Sequence, residues 1–153
     1  MCNVKKICLI SSSGGHYEQI LMLKKLNEFY EVFVITEKTK YNSDEKNIYL
    51  IQQVNRKEKL FLFKMTINFF KLLKIYFQEK PDVIISTGAL SVIPMFLIGK
   101  IMNKKLIFIE SFAKTNTPTM TGKLLYRFTD LFIVQWDEMK KVYPNAIVLG
   151  SIY

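Results

Sequence analysis

Seven short apolar runs alternate with longer helical segments along the chain, at residues 6–11, 32–36, 48–51, 82–87, 105–110, 131–135 and 146–149. Most of the runs are β-branched or aromatic and continuous, which is typical of parallel strands buried on both faces. Pro81 and Pro144 follow two of the helical segments, where a proline ends a helix. The pattern predicts a single α/β domain, residues 1–153, built on a Rossmann-like, doubly wound parallel sheet.

Small, polar and charged residues gather where the first, fourth and fifth predicted strands end. Ligands of such sheets bind at the carboxyl ends of the strands, so we expect these three loops to meet at one edge and hold a ligand. The candidate binding residues are Ser13, Gly14, Gly15, Ser86, Thr87, Gly88, Ser111 and Asn116, and His16 and Glu110 are the candidate catalytic residues.

The glycine pair, Gly14 and Gly15, stands where a strand turns into a helix. Two residues without side chains let the backbone approach a phosphate or diphosphate closely, although the turn alone also explains them. The dinucleotide fingerprint and the Walker lysine motif are both absent, which argues against these two nucleotide sites. Ser86, Thr87 and Gly88 could likewise donate hydrogen bonds to a phosphate or simply form a turn.

His16 is the one histidine of the chain and opens the predicted helix. The helix dipole lowers the pKa of an imidazole at this end, and a neutral ring can act as a general base toward a hydroxyl. The alternative is that His16 caps the helix or orients the loop. Glu110 ends an apolar strand, where its carboxylate either contacts a ligand or pairs with a lysine.

Residues 58–79 form a helical segment of about six turns that is apolar on too many sides to cover one sheet face. Its lysines argue against a membrane-spanning helix. We expect part of this surface to lie at a membrane interface or to pack against a neighbouring element. The residues expected to contact the membrane are Lys64, Phe69, Phe70, Lys71 and Lys74.

The formal charge of +9 points to an anionic partner. The chain lacks the clustered arginines and the RNP-like aromatic strand that nucleic-acid binding favours, so nucleic acid is not an expected partner. Cys2 and Cys8 form no CxxC pair, and neither a disulfide, a metal nor another cofactor is predicted. The first ten residues are too short for a signal peptide, which predicts a cytoplasmic protein.

Four motifs in order carry a resemblance to a known family: SSGGHYEQI, PDVIISTGALSVIP, IFIESFAKTNTPTMTGKLLY and DLFIVQWDEMKKVYPNAIVLG. Together they resemble the acceptor-side, membrane-associated subunit of split GT-B glycosyltransferases. This group includes the anchoring subunit of the dolichol-linked oligosaccharide GlcNAc-transferase and the bacterial enhancers of capsule or exopolysaccharide β-1,4-galactosyltransferases. The resemblance extends over residues 6–153.

The resemblance implies that the chain equals the N-terminal half of a GT-B enzyme and holds a lipid-diphosphate-linked saccharide acceptor. A catalytic partner subunit would bind the UDP-sugar, and His16 would accept the proton of the attacking hydroxyl in a metal-independent, inverting transfer. The chain would be inactive alone and would serve capsule or exopolysaccharide synthesis. The alternative is a non-catalytic enhancer that only stabilises the catalytic chain and recruits it to the membrane.

Two further expectations concern contacts with the partner and the membrane. Trp136, Tyr143 and Tyr153 are candidates for the partner interface, because large aromatic residues are favoured at buried contact centres, although core packing would also explain them. The eukaryotic subunit carries an N-terminal transmembrane anchor, whereas the first strand begins close to Met1 here. Residues 58–79 are therefore expected to provide peripheral contact with the inner face of the cell membrane.

Overall fold

The computed structural model of the protein describes residues 4–39 and 47–153. Within these ranges seven strands form one parallel sheet in the order β3-β2-β1-β4-β5-β6-β7. The strands are β1 (Lys6–Ser11), β2 (Glu31–Glu37), β3 (Ile48–Ile51), β4 (Val83–Gly88), β5 (Lys105–Ile109), β6 (Leu131–Val134) and β7 (Ile147–Val148). All seven predicted strands are present, and the predicted doubly wound α/β fold is confirmed.

The α-helices are α1 (Gly15–Leu21), α2 (Phe61–Glu79), α3 (Ile93–Ile101) and α4 (Met120–Leu125), with 3-10 helices at Met22–Glu28, Leu90–Val92 and Asp137–Lys141. α2 begins three residues later than predicted. Residues 55–58 form a turn instead, in which the Asn55 side chain accepts from Lys57 N and its carbonyl accepts from Glu58 N. An asparagine bonded to the backbone two residues ahead competes with helix formation.

The sheet is covered on both faces, and successive residues of a strand contribute to opposite faces. On one face Cys8 and Ile10 of β1 pack in the core under α2, α3 and α4. On the other face Ile7 and Leu9 pack with Ile20 of α1. Cys8 is fully buried and unpaired, whereas Cys2 lies outside the described residues.

No helix in the described ranges is both long and apolar enough to cross a bilayer.

The strand order reverses between β1 and β4, the central pair of the sheet. From β1 the chain continues to β2 on one side, and β4 lies on the other side and is followed by β5. Chain segments leaving the carboxyl ends of such a pair diverge, which opens a crevice where ligands of these folds bind. The loops that follow β1, β4 and β5 are neighbours at this edge, as the sequence pattern predicted.

Candidate functional site

The loops after β1, β4 and β5 (residues 12–16, 86–89 and 110–116) make up what we call the loop site. Two hydrogen bonds join the first two of these loops. Ser12 N donates to Gly88 O at 3.0 Å, and Thr87 Oγ1 donates to His16 O at 2.8 Å. The start of α1 is therefore held against the end of β4.

The imidazole of His16 packs directly on Gly88. A Cβ atom added at Gly88 would lie 2.9 Å from His16 Cε1 and 3.2 Å from Nδ1, which is closer than real Cβ atoms approach other atoms. Gly88 also has a φ of +113°, a conformation that residues with side chains rarely adopt. Glycine is therefore favoured at this position for two reasons: the positive φ of the backbone and the close contact with the His16 ring.

Burial lowers the pKa of His16 below that of free imidazole, and a hydrogen bond with the Thr87 backbone and the Glu110 and Glu37 carboxylates partly oppose this effect. The ring is therefore neutral at pH 7, as the sequence analysis expected, but burial and not the helix dipole is the main cause. Within the described residues Nδ1 is buried and has no hydrogen-bond partner.

Glu37 holds the glycine-containing loop in place. This carboxylate ends β2 and is almost fully buried. Its Oε2 accepts from Ser13 N at 3.3 Å and from Ser13 Oγ at 3.1 Å, and its Oε1 accepts from Val54 N at 3.3 Å. The sequence analysis missed Glu37, although the signal was the one that identified Glu110: an acidic residue at the end of an apolar strand.

Glu110 has the same function for the loop after β5. It is 1% exposed, and its carboxylate accepts from Ser111 N at 2.8 Å, Thr119 N and Oγ1 at 3.2 Å each, and Tyr143 Oη at 3.0 Å. No lysine in the described ranges pairs with it. The expectation that Glu110 contacts a substrate or a lysine is wrong, because its oxygens are turned inward to hold the loop.

Tyr143, which donates a hydrogen bond to Glu110, is itself a core residue. Its ring is 2% exposed and packs 4.4 Å from the Phe132 ring, measured between centroids. Burial and the Glu110 carboxylate raise the pKa of Tyr143, so the hydroxyl keeps its proton and donates it in the hydrogen bond. The expectation that Tyr143 contacts a partner is wrong for this reason.

Ser86 and Thr87 are fully buried, and their hydroxyl groups bond to other residues of the loop site. Ser86 Oγ accepts from Gly88 N at 3.0 Å, and the Thr87 hydroxyl is the one that holds His16. Their predicted role as direct phosphate donors is therefore wrong. Among the other predicted residues, Gly14, Gly15 and Asn116 are exposed, and Ser13, His16 and Ser111 are half-buried.

Three aromatic rings lie beside the loop site. Trp136 Nε1 donates to Phe112 O at 2.7 Å, and the Phe112 ring lies 5.0 Å from the Trp136 ring and 5.5 Å from the Tyr153 ring. Gln135 connects this group to the loop, since its Nε2 donates to Glu110 O and its Oε1 accepts from Ile152 N, both at 2.9 Å. Trp136 and Tyr153 are thus brought together next to the site.

The chain was compared with known families, proteins and solved structures. Residues 53–152 match the family described as "Oligosaccharide biosynthesis protein Alg14 like". The chain belongs to the Alg14-like family. This membership confirms the resemblance drawn from the four sequence motifs.

Three similar proteins illustrate how much of the chain its relatives cover. The UDP-N-acetylglucosamine transferase subunit ALG14 of Homo sapiens is 27% identical over 95% of this chain and 82% of the human protein. The Saccharomyces cerevisiae subunit of the same name is 43% identical over 37% of this chain and 24% of its own length. An uncharacterized glycosyltransferase of Methanocaldococcus jannaschii is 29% identical over 93% of this chain and 39% of its own length.

Solved structures agree on the fold. MurG of Acinetobacter baumannii superimposes with a TM-score of 0.72 at 18% identity, covering 88% of this chain and 42% of MurG. The UDP-GlcNAc 2-epimerase of Methanocaldococcus jannaschii superimposes with a TM-score of 0.73 at 12% identity, covering 95% and 45% of the two chains. This Alg14-like chain thus spans less than half of each of these solved chains.

In this family member the residues expected to contact a membrane divide between two sides of α2. Lys64 and Lys71 line a cavity beside β3, whereas Phe70 is 63% exposed on the outer side and Lys74 is exposed as well. Phe69 is half-buried and packs against the core. Phe63 and Phe77 were missed, and they flank Phe70 at seven-residue intervals with exposures of 63% and 54%.

In the described part of the chain, no group of three or more His, Cys, Asp or Glu side chains is arranged to hold a metal ion.

Proposed function

We propose that this chain is the acceptor-side subunit of a two-chain, UDP-sugar-dependent glycosyltransferase. The observation that carries the proposal is the position of His16, held against Gly88 where the strand order of the sheet reverses. Membership in the Alg14-like family supports a glycosyltransferase subunit, because the human relative is named as a subunit of a UDP-N-acetylglucosamine transferase.

The two chains divide the substrates between them. A catalytic partner, equivalent to the C-terminal half of a GT-B enzyme, binds the UDP-sugar. This chain binds the lipid-diphosphate-linked saccharide at the loop site, where Gly14, Gly15, Ser111 and Asn116 are accessible. Trp136 and Tyr153 contribute to the contact with the partner, because they lie next to the loop site and Tyr153 is 61% exposed.

The transfer inverts the configuration of the donor sugar. A hydroxyl oxygen of the acceptor attacks the anomeric carbon, the bond from that carbon to the UDP oxygen breaks, and UDP leaves with the bonding electrons. The hydroxyl proton passes to His16, which is neutral at pH 7 because burial lowers its pKa. The proposal assigns no metal or organic cofactor to this chain.

Two substitutions of His16 separate proton acceptance from hydrogen-bond donation. His16→Ala removes both, whereas His16→Gln keeps an N–H near the position of Nε2 but cannot accept a proton. If His16 is the base, both variants lose about 10²- to 10⁴-fold in turnover, with the two-chain complex still assembled. The measurement is transfer of radiolabelled sugar from a panel of UDP-sugars to lipid-linked acceptor, using this chain, the partner and both together.

The controls define what each result means. If His16→Gln retains turnover while His16→Ala loses it, a hydrogen-bond donor at this position is sufficient and His16 is not the base. Two results together contradict the proposal and identify the chain as a non-catalytic enhancer. The partner alone transfers sugar, and the two-chain complex transfers sugar equally well with either His16 variant. The pH profile of kcat/KM is a further readout. If His16 is the base, the apparent pKa of its acid limb should lie below the ordinary imidazole pKa of about 6.5.

We also propose that the complex works at the inner face of the cell membrane in capsule or exopolysaccharide synthesis. The exposed Phe63, Phe70 and Phe77 of α2 support the membrane contact, with Lys74 beside them. Aromatic rings enter the acyl boundary, while lysines reach anionic headgroups.

A further inference from the structure

A cavity of about 460 Å³ lies between the edge strand β3, α2 and the end of β2. Its described lining contains three lysines and otherwise only uncharged residues: Lys38, Leu50, Ile51, Gln52, Gln53, Lys64 and Lys71. The volume is within the range of small-ligand sites. None of the functions argued so far uses this cavity.

Backbone hydrogen bonds and one buried amide fix the walls of the cavity. Asn68, which is fully buried, accepts from Gln52 N at 2.9 Å and donates to Gln52 O at 2.8 Å. Lys64 and Lys71 lie four residues before and three residues after Asn68, on the same face of α2. On the opposite wall Lys38 N donates to Ile51 O at 2.8 Å. The fold therefore fixes the backbone positions of all three lysines.

The lysines carry more positive charge than the described residues neutralise. Lys64 forms an ion pair with Glu58. Lys38 and Lys71 are exposed and form no ion pair with a described carboxylate. Two ammonium groups at one cavity repel each other, and an anion between them removes that repulsion. Phosphate oxygens suit this role because they accept strong, charge-assisted hydrogen bonds from lysine.

The cavity is connected to the loop site through Glu37. The carboxylate of Glu37 accepts from Ser13 of the loop site and from Val54 N. Lys38, which follows Glu37 in sequence, and Gln53, which precedes Val54, line the cavity. Exposed rings of α2 lie on the same helix. A lipid phosphate at the cavity would therefore be close to both the loop site and the proposed membrane surface.

We infer that the lysine cavity binds a phosphate group carried by a lipid. The source is the diphosphate of the acceptor, an assignment that rests on the proposed function, or the headgroup of an anionic phospholipid. Both sources present the same phosphate chemistry, and two probes distinguish them.

The test uses the full chain without its partner. Calorimetric titration with inorganic pyrophosphate reports the diphosphate, and co-sedimentation with phosphatidylcholine vesicles, with or without phosphatidylglycerol, reports the headgroup. The variants are Lys38→Gln, Lys71→Gln and the double variant. Lys100→Gln is the control, because it removes the same charge from an exposed lysine of α3 that neither lines the cavity nor belongs to the proposed membrane surface.

We expect each cavity variant to weaken pyrophosphate binding about tenfold and Lys100→Gln to leave it within about twofold. If pyrophosphate does not bind measurably, and the cavity variants lose phosphatidylglycerol-dependent sedimentation well beyond Lys100→Gln, the cavity is assigned to the headgroup. Equal effects of cavity and control variants in both assays overturn the inference. Because neither assay needs the partner or a UDP-sugar, this outcome is independent of whether sugar transfer is observed.

Discussion

Two buried carboxylates organise the site at the residue scale. Glu37 and Glu110 each end a strand and turn their oxygens back onto the loop that follows or lies beside it. A carboxylate that accepts several backbone N–H groups fixes a loop more firmly than a hydroxyl does. The exposed groups of the loop site are thereby held by residues that do not reach the ligand themselves.

The contact between His16 and Gly88 gives a prediction at the same scale. Gly88→Ala should lower the free energy of unfolding by about 1–3 kcal/mol and reduce transfer, because the new methyl group strains the backbone and displaces the ring. Thermal unfolding and sugar-transfer assays measure the two effects.

Gly150→Ala is the matched control, since Gly150 has a φ of +75° but a Cβ there meets nothing within 4 Å. In thermal unfolding it should show the cost of backbone strain alone. Full transfer by Gly88→Ala would show that the ring position does not matter for the reaction.

At the scale of elements, α2 has two different exposed sides. Its Lys64, Asn68 and Lys71 face the edge of β3, while Phe63 and Phe70 face outward. The sequence predicted the helix and its surplus apolar surface but not which rings remain outside, since Phe69 and Phe70 are adjacent and only packing distinguishes them.

Outward phenylalanines should bind the chain to membranes. We expect the double variant Phe63→Ser/Phe70→Ser to reduce co-sedimentation with phosphatidylglycerol vesicles at least about tenfold, because each ring loses its burial in the acyl boundary. Phe29→Ser is the control, since Phe29 is 72% exposed and lies outside α2, between the 3-10 helix Met22–Glu28 and β2. Equal loss in both variants would place the membrane contact elsewhere.

The strands and the fold class follow from the sequence, because continuous apolar runs separated by helical segments leave few alternatives to a parallel, doubly wound sheet. The meeting of the three loops follows from the same pattern. The partners of Glu110 do not, because Thr119 and Tyr143 lie 9 and 33 residues further along the chain. Such contacts depend on tertiary packing, which the local pattern around Glu110 does not contain.

At the scale of the whole molecule, the last residues of the chain bear on assembly. Ile152 packs against the core on the α1 face, and Tyr153 extends the aromatic group of Phe112 and Trp136. Aromatic side chains that are partly exposed in this way are favoured at the centres of interfaces.

Deleting residues 149–153 should abolish co-purification with the catalytic partner while the remaining chain stays folded. Thermal unfolding of the truncated chain checks that it is folded, and the milder variant Tyr153→Ala should weaken co-purification through loss of the ring alone. Undiminished recovery of the partner with both variants would locate the interface elsewhere.

The side chain of Gln135 has a consequence for how two subunits influence one another. Its amide group uses one end for the carbonyl of Glu110 and the other for the N–H of Ile152. A contact that orders Ile152 therefore also orders residues 110–116 of the loop site, and the reverse holds by thermodynamic reciprocity. Binding of the saccharide at these residues would thus raise the affinity of this chain for the partner subunit. Binding of the partner would raise the affinity for the saccharide by the same factor.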